Sequence, residues 1–159
     1  LDFDGVLHPD AVYLQFNRKI ELRAAGELFM WAPQLIEALT KYQDIRIVLS
    51  TSWVRNLGYQ KVCKLLPAEL GGRVIGATGH SAMSRGWPDC IPWDNQTRYE
   101  QIAAWLARRP EQSSWLAIDD DVEGWPEHLR KHLISTDSQC GLSAPEALAE
   151  LARKLQARN

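Results

Sequence analysis

LDFDGVLHPD, residues 1–10, sets Asp2 and Asp4 one residue apart at the end of an apolar run and against Gly5. Two carboxylates that close repel one another unless a cation or a proton sits between them, so the pair costs stability unless something uses it. Leu1 to Phe3 reads as the end of a buried strand. Only Leu1 precedes Asp2, where such a strand wants about four or five apolar residues, so the pattern predicts further residues upstream.

Working outward, the 159 residues are expected to form one domain, 1–159, long enough to bury roughly 70% of the unfolded surface around a single core. Apolar residues make up 45% and charged residues 24%, and no apolar run approaches the ~18 residues of a membrane span, so the chain reads as cytoplasmic with no membrane partner. A net charge of -2 means that a nucleic-acid partner has to be met by a local basic patch and not by the field of the whole molecule. Cys63, Cys90 and Cys140 are odd in number and far apart, which argues against a disulfide framework and against zinc.

Strand-like and helix-like runs alternate. Val12 to Met30 suits a β-hairpin or flap, and Pro33 opens a helix with Leu35, Ile36 and Leu39 on one face. IRIVLSTSW, residues 45–53, is a β-branched buried strand from Ile45 to Leu49 that ends in hydroxyls. Residues 60–66 read as helix and 73–75 as a short strand. Gly76 to Trp93 is irregular and rich in Gly, Pro, Ser and Trp; it belongs to a substrate-loop insertion over about 54–94. Asp94 or Asn95 is expected to cap a helix with Ile102, Trp105 and Leu106 inward, and SSWLAIDDD, residues 113–121, closes with another buried strand. A last strand is expected over 132–134. Ser143-Ala144-Pro145-Glu146 has the form of a capping box opening a terminal helix that buries Leu148, Leu151 and Leu155.

This alternation favours an α/β fold with a doubly wound parallel sheet, and such sheets hold ligands at the carboxyl ends of their strands. Asp2 and Asp4, then Ser50 and Thr51, then Asp119, Asp120 and Asp121 all fall at that edge. Carboxylates alone suit a hard cation such as Mg²⁺, and Arg98, just inside a helix, supplies the cation a phosphate needs. The set reads as phosphate chemistry on magnesium.

In this order the pieces resemble the four motifs of the haloacid dehalogenase (HAD) superfamily: DFDGVL, then IVLSTSW, then a basic residue at Arg98, then WLAIDDD. DGVLHP followed by LSTSW is most similar to a small-cap branch, some of whose members are associated with nucleic-acid repair. The resemblance implies a Rossmann-like domain with a small β-hairpin flap, about 12–30, and no large cap domain. It implies a Mg²⁺-dependent phosphatase working through an aspartyl-phosphate, with Asp2 as nucleophile and Asp4 as general acid and base whose backbone carbonyl also ligates the metal. Thr51, or alternatively Ser50, holds a phosphate oxygen; Arg98 binds the phosphate where the family more often has Lys. Asp120 is the metal ligand with Asp119 steadying the shell, though either can take the family role, and Asp121 stands aside. Ser50, Ser52, Trp53 and His8 complete the expected substrate surroundings.

Rival readings fail on spacing. A calcium loop counted from Asp2 has Leu7 and Tyr13 where Gly and Glu are required, and one counted from Asp119 has Arg130 in place of the Glu. His128 and His132, at i and i+4, lack a third ligand for zinc. Among the seven tryptophans, Trp105 and Trp115 follow core patterns, while Trp53, Trp87 and Trp93 fall in expected loops and are candidates for stacking on a base. Arg55, Lys61, Lys64, Arg73 and Arg85 are candidates for following a phosphate backbone, whereas Arg18, Lys19 and Arg23 share the hairpin with Glu21. Short insertions leave the site open, so the phosphorylated partner is left unidentified between a small molecule, a phosphoprotein and a nucleic-acid end. A non-catalytic binding or regulatory module is the rival class, disfavoured because both Asp2 and Asp4 are present.

Overall fold

The computed structural model describes residues 1–17, 19–79, 92–111 and 114–158. Arg18, Arg85, Trp87, Cys90 and most of the irregular segment 76–93 lie outside the described residues.

The elements run β1 (Val12–Leu14), β2 (Ile20–Leu22), α1 (Ala32–Leu39), β3 (Ile47–Leu49), α2 (Ser52–Leu57), α3 (Tyr59–Leu65), α4 (Ala68–Gly71), β4 (Val74–Ala77), α5 (Arg98–Ala107), β5 (Ala117–Asp119), β6 (Leu133–Ser135) and α6 (Pro145–Gln156). Short 3₁₀ turns cover Pro92–Asn95, Glu127–His132 and Gly141–Ser143. The strands pair as β1 with β2 antiparallel, β3 with β4 parallel and β5 with β6 parallel.

The opening residues join the two parallel pairs. Leu1 N donates to Val48 O at 2.9 Å, Ser50 N donates to Leu1 O at 2.8 Å, and Asp2 N donates to Ile118 O at 3.1 Å. The chain bends directly after Phe3, where Val6 N and Leu7 N both turn back onto Phe3 O. Asp2 nonetheless lies between the carboxyl ends of β3 and β5.

Apolar residues alternate across β5 and β6 as strand geometry demands. Ala117 and Leu133, a register pair, face Ile102 of α5 and Trp125; Ile118 and Ile134, the next pair, face the larger core with Phe3, Leu49, Leu35 of α1 and Leu151 of α6. Helices thus cover both faces of this pair. α1 turns Ala32, Leu35 and Leu39 inward and α6 turns Ala147, Leu151 and Leu155, giving each helix one apolar stripe.

Several boundaries differ from the sequence expectation for local reasons. The hairpin ends at Leu22 and not near residue 30, since Glu27 to Ala32 is taken up by tight turns, Met30 N on Glu27 O and Ala32 N on Phe29 O. β3 begins at Ile47 because Ile45 N closes a turn on Tyr42 O. Trp53 lies in helix α2, capped by Thr51, and not in a loop. The cap of α5 is Thr97, in place of Asp94 or Asn95. Ser143 does not cap α6: its Oγ donates to Cys140 O at 2.6 Å, the N-cap position is Ala144, and Pro145 fills the first turn as expected. Arg73 is a structural residue and not a phosphate contact, for its guanidinium donates to the carbonyls of Leu39, Tyr42 and Ile45. His132 stacks flat on Trp115 at 4.4 Å with Nδ1 3.1 Å from Trp115 O, which removes it from any pairing with His128. Trp93 is buried, its ring packed over Gly79, so it offers no stacking face to a base. Among the described residues no helix is long and apolar enough to cross a membrane.

Candidate active site

Asp2 follows directly from the pairing of residue 1 with β3, and its side chain is buried at the strand ends. Its Oδ1 accepts from Phe3 N at 2.7 Å, which fixes the carboxylate, and its Oδ2 accepts from Arg98 Nη2 at 2.8 Å. Arg98 is the first residue of α5 and reaches 96 positions back along the chain to do this. Its Nε lies 3.2 Å from Asp119 Oδ2, an ion pair without the alignment of a hydrogen bond, while Nη1 donates to Gln101 Oε1 at 3.1 Å. Gln101 in turn donates to the carbonyls of Trp93 and Gln96, so the guanidinium is braced from behind.

β5 ends at Asp119, which is buried, and the next residue, Asp120, is half-buried. One oxygen from each of Asp2, Asp119 and Asp120 lies within 4.8 Å of the others. Burial raises the pKa of all three: Asp2 with Arg98 pulling the other way, Asp119 well above the ordinary value with the Asp2 charge adding to it, and Asp120 up to about 6 for the same two reasons. Three carboxylates forced together with a single guanidinium between two of them hold more negative charge than Arg98 can balance. Asp119 Oδ2 is buried without a hydrogen bond. These are the donor chemistry and the deficit of positive charge that a hard divalent cation meets. Gly5 makes room for the cluster: a Cβ there would lie 2.2 Å from Asp120 Oδ2, and its φ of +65° is itself a glycine conformation.

The side chain of Asp4 stands apart from these three. Its Oδ1 is 3.1 Å from His8 Nε2 and its Oδ2 accepts from Trp53 Nε1 at 2.8 Å. Thr51 is buried at the end of β3, and its Oγ1 accepts from Trp53 N at 3.4 Å as the N-cap of α2. Ser50 Oγ is buried with no hydrogen-bond partner, and Ser52 is exposed at the start of α2. Asp121 N donates to Asp119 Oδ1 at 3.2 Å and its exposed side chain accepts from Glu123 N at 2.9 Å, so Asp121 serves the turn after β5.

The family model for the HAD domain in Swiss Army Knife RNA repair proteins matches residues 1–147. The chain belongs to this family. No curated protein and no solved structure matches it.

In this HAD domain Asp2, Arg98, Asp119 and Asp120 come together from three separate stretches of sequence, and Asp4, His8 and Trp53 form a second group beside them. Two residues and one link escaped the sequence reading. Gln101 sits at i+3 from Arg98 on the same helix face, a spacing that could have flagged it. Thr136 follows β6 as Ser50 and Thr51 follow β3, and its Oγ1 donates to Gly5 O at 2.7 Å, holding the turn after Asp4. The link from Trp53 to Asp4 spans 49 positions and left no local signal.

Proposed function

We propose that this chain is a Mg²⁺-dependent phosphatase that hydrolyses a phosphoric monoester through an aspartyl-phosphate on Asp2. The observation that carries the reading is the pair Asp2 Oδ2 to Arg98 Nη2 at 2.8 Å beside Asp119 and Asp120, a fixed carboxylate with a cation and two more carboxylates around it. Asp2, Asp119 and Asp120, with the backbone carbonyl of Asp4, would hold the metal, which when bound supplies positive charge against the phosphate oxygens. An Asp2 oxygen attacks phosphorus while the ester P–O bond breaks; the electron pair leaves on the ester oxygen, and Asp4 gives that oxygen its proton. A water then attacks phosphorus and gives its proton to Asp4, the bond from phosphorus to Asp2 breaks, and both carboxyl groups are restored. Arg98 offsets charge on the transferring group, and Thr51, or Ser50 with its unpaired hydroxyl, donates to a phosphate oxygen. We read residues 1–159 as one doubly wound, Rossmann-like domain with the β1–β2 hairpin as a small flap, working in the cytoplasm.

The family's tie to RNA repair favours a phosphorylated nucleic-acid end as the ester. The hairpin also carries exposed Tyr13 and Phe16, with the Arg23 guanidinium 4.4 Å above the Tyr13 ring, a combination of ring and cation that suits a single strand.

The test is phosphate release from p-nitrophenyl phosphate, nucleotides, sugar phosphates and 3′- and 5′-phosphorylated oligonucleotides, with Mg²⁺ or with a chelator. Asp2→Asn is expected to lower metal-dependent turnover by on the order of 10³-fold or more. A wild-type chain that binds Mg²⁺ but releases no phosphate from any of them would make this a binding module instead. Preference for an oligonucleotide end over the small esters would identify the substrate class.

A further inference from the structure

Both oxygens of Asp4 are taken by ring N–H groups from different parts of the chain. His8 is fully buried, one turn of chain beyond Asp4, and Phe29 N donates to its Nδ1 at 3.2 Å. With Nδ1 accepting, the ring proton of a neutral imidazole is on Nε2, and that N–H points at Asp4 Oδ1, 3.1 Å away. Trp53 Nε1, a donor only, takes Oδ2 at 2.8 Å. The two rings are not free to drift. His8, Phe29, Trp53 and Phe3 form one aromatic cluster with centroids 5.2–5.6 Å apart, and Phe29 is held at φ +61°, a left-handed conformation rare for a non-glycine residue. Such strain persists only where the surroundings over-determine it.

The Asp4 side chain keeps about a fifth of its surface open, with a second lone pair on each oxygen unused by the rings. The rings therefore define where the carboxyl group can point while leaving its free edge available to a proton.

We propose that His8 and Trp53 are positioning residues that aim Asp4 at the ester oxygen, with Phe29 setting the His8 tautomer from the far side. They act through Asp4 and do not contact the substrate. This rests on the phosphatase reading above, and specifically on Asp4 delivering a proton to the leaving oxygen. The demand for that proton depends on the leaving group: an alkoxide needs it, a dinitrophenolate hardly does.

The experiment measures single-turnover ester cleavage and steady-state phosphate release by the full chain with Mg²⁺, on 2,4-dinitrophenyl, p-nitrophenyl, phenyl and simple alkyl phosphates. Trp53→Phe keeps an aromatic ring in the cluster but loses the N–H together with part of the indole; His8→Gln returns an amide N–H near Nε2, and His8→Leu does not. For Trp53→Phe and His8→Leu, cleavage of the alkyl ester is expected to fall by about tenfold or more while the dinitrophenyl ester is cleaved within about twofold of wild type. His8→Gln is expected to recover part of the loss. Equal losses on every ester, or none on the alkyl ester, would overturn the positioning role while leaving the phosphatase reading intact. A folded wild type inert on all four esters would overturn both.

Discussion

Gly5 has no side chain because Asp120 stands where one would be. A methyl group there would sit 2.2 Å from Oδ2 and 2.4 Å from Cγ of Asp120, and at φ +65° an L residue adds its own strain. The colliding atom belongs to a side chain, so the fold can give way by swinging Asp120 out of the cluster. Gly5→Ala is therefore expected to leave a folded protein whose Mg²⁺ affinity is lower by about 10–100-fold, read by calorimetric titration, with the far-ultraviolet circular dichroism unchanged. Unaltered affinity would show that Asp120 is not a ligand. At this scale the sequence was legible where chemistry is local. Asp2, Asp4, Arg98 and the acidic run at 119–121 could be picked out because they recur in one order at the ends of successive expected strands, although each alone is ordinary where it stands. What Asp4 touches was not legible, because hydrogen bonds such as the one from Trp53 depend on how two distant segments pack.

Among the elements, α5 has the most direct bearing on the site. Its N-cap is Thr97, whose Oγ1 accepts from Glu100 N at 3.3 Å while Glu100 Oε2 accepts from Thr97 N at 2.8 Å, a reciprocal capping box directly before Arg98. Thr97→Ala is expected to cost about 1 kcal/mol in urea denaturation and to fray the turn that carries Arg98, raising KM for phosphate esters more than it lowers kcat. Thr97→Ser should restore both. An unchanged KM would mean that Arg98 is held by its ion pairs alone. The sequence reading expects the cap at Asp94 or Asn95; the 3₁₀ turn at Pro92–Asn95 takes up both, and the Thr-x-x-Glu pattern at 97–100 that caps the helix was passed over. The buried strands and the terminal helix were legible from apolar periodicity. α2 was not, since Ser52-Trp53-Val54-Arg55 carries no amphipathic stripe and its start is fixed by the Thr51 cap. The strand at the opening was read from a single apolar residue and Phe3, and proves to be a bridge between two ladders.

For the molecule as a whole, the turn before α6 is locked onto Val6 and Trp31. Gly141 has φ +46°, and a Cβ on it would lie 2.3 Å from the Trp31 ring and 2.6 Å from Val6 O, while Leu142 N donates to that same oxygen at 3.0 Å. Here the obstacle includes backbone, so the fold cannot yield cheaply. Gly141→Ala is expected to destabilise by roughly 2–4 kcal/mol, seen as a lower urea midpoint with an unchanged m-value. A loss under about 0.5 kcal/mol would show that this turn adjusts freely.

The hydrogen bond from Thr136 to Gly5 closes a loop of 131 positions across the turn that follows the two opening aspartates. During synthesis, then, the turn after Asp4 waits for a residue that emerges 131 positions later. A nascent chain that has emerged only as far as β5 already carries Asp2, Asp4, Arg98 and Asp119, but its DFDG turn lacks the strand that anchors it. Contacts of such long range also slow the search for the native state. The chain is thus expected to acquire its chemistry late and abruptly, when β6 docks.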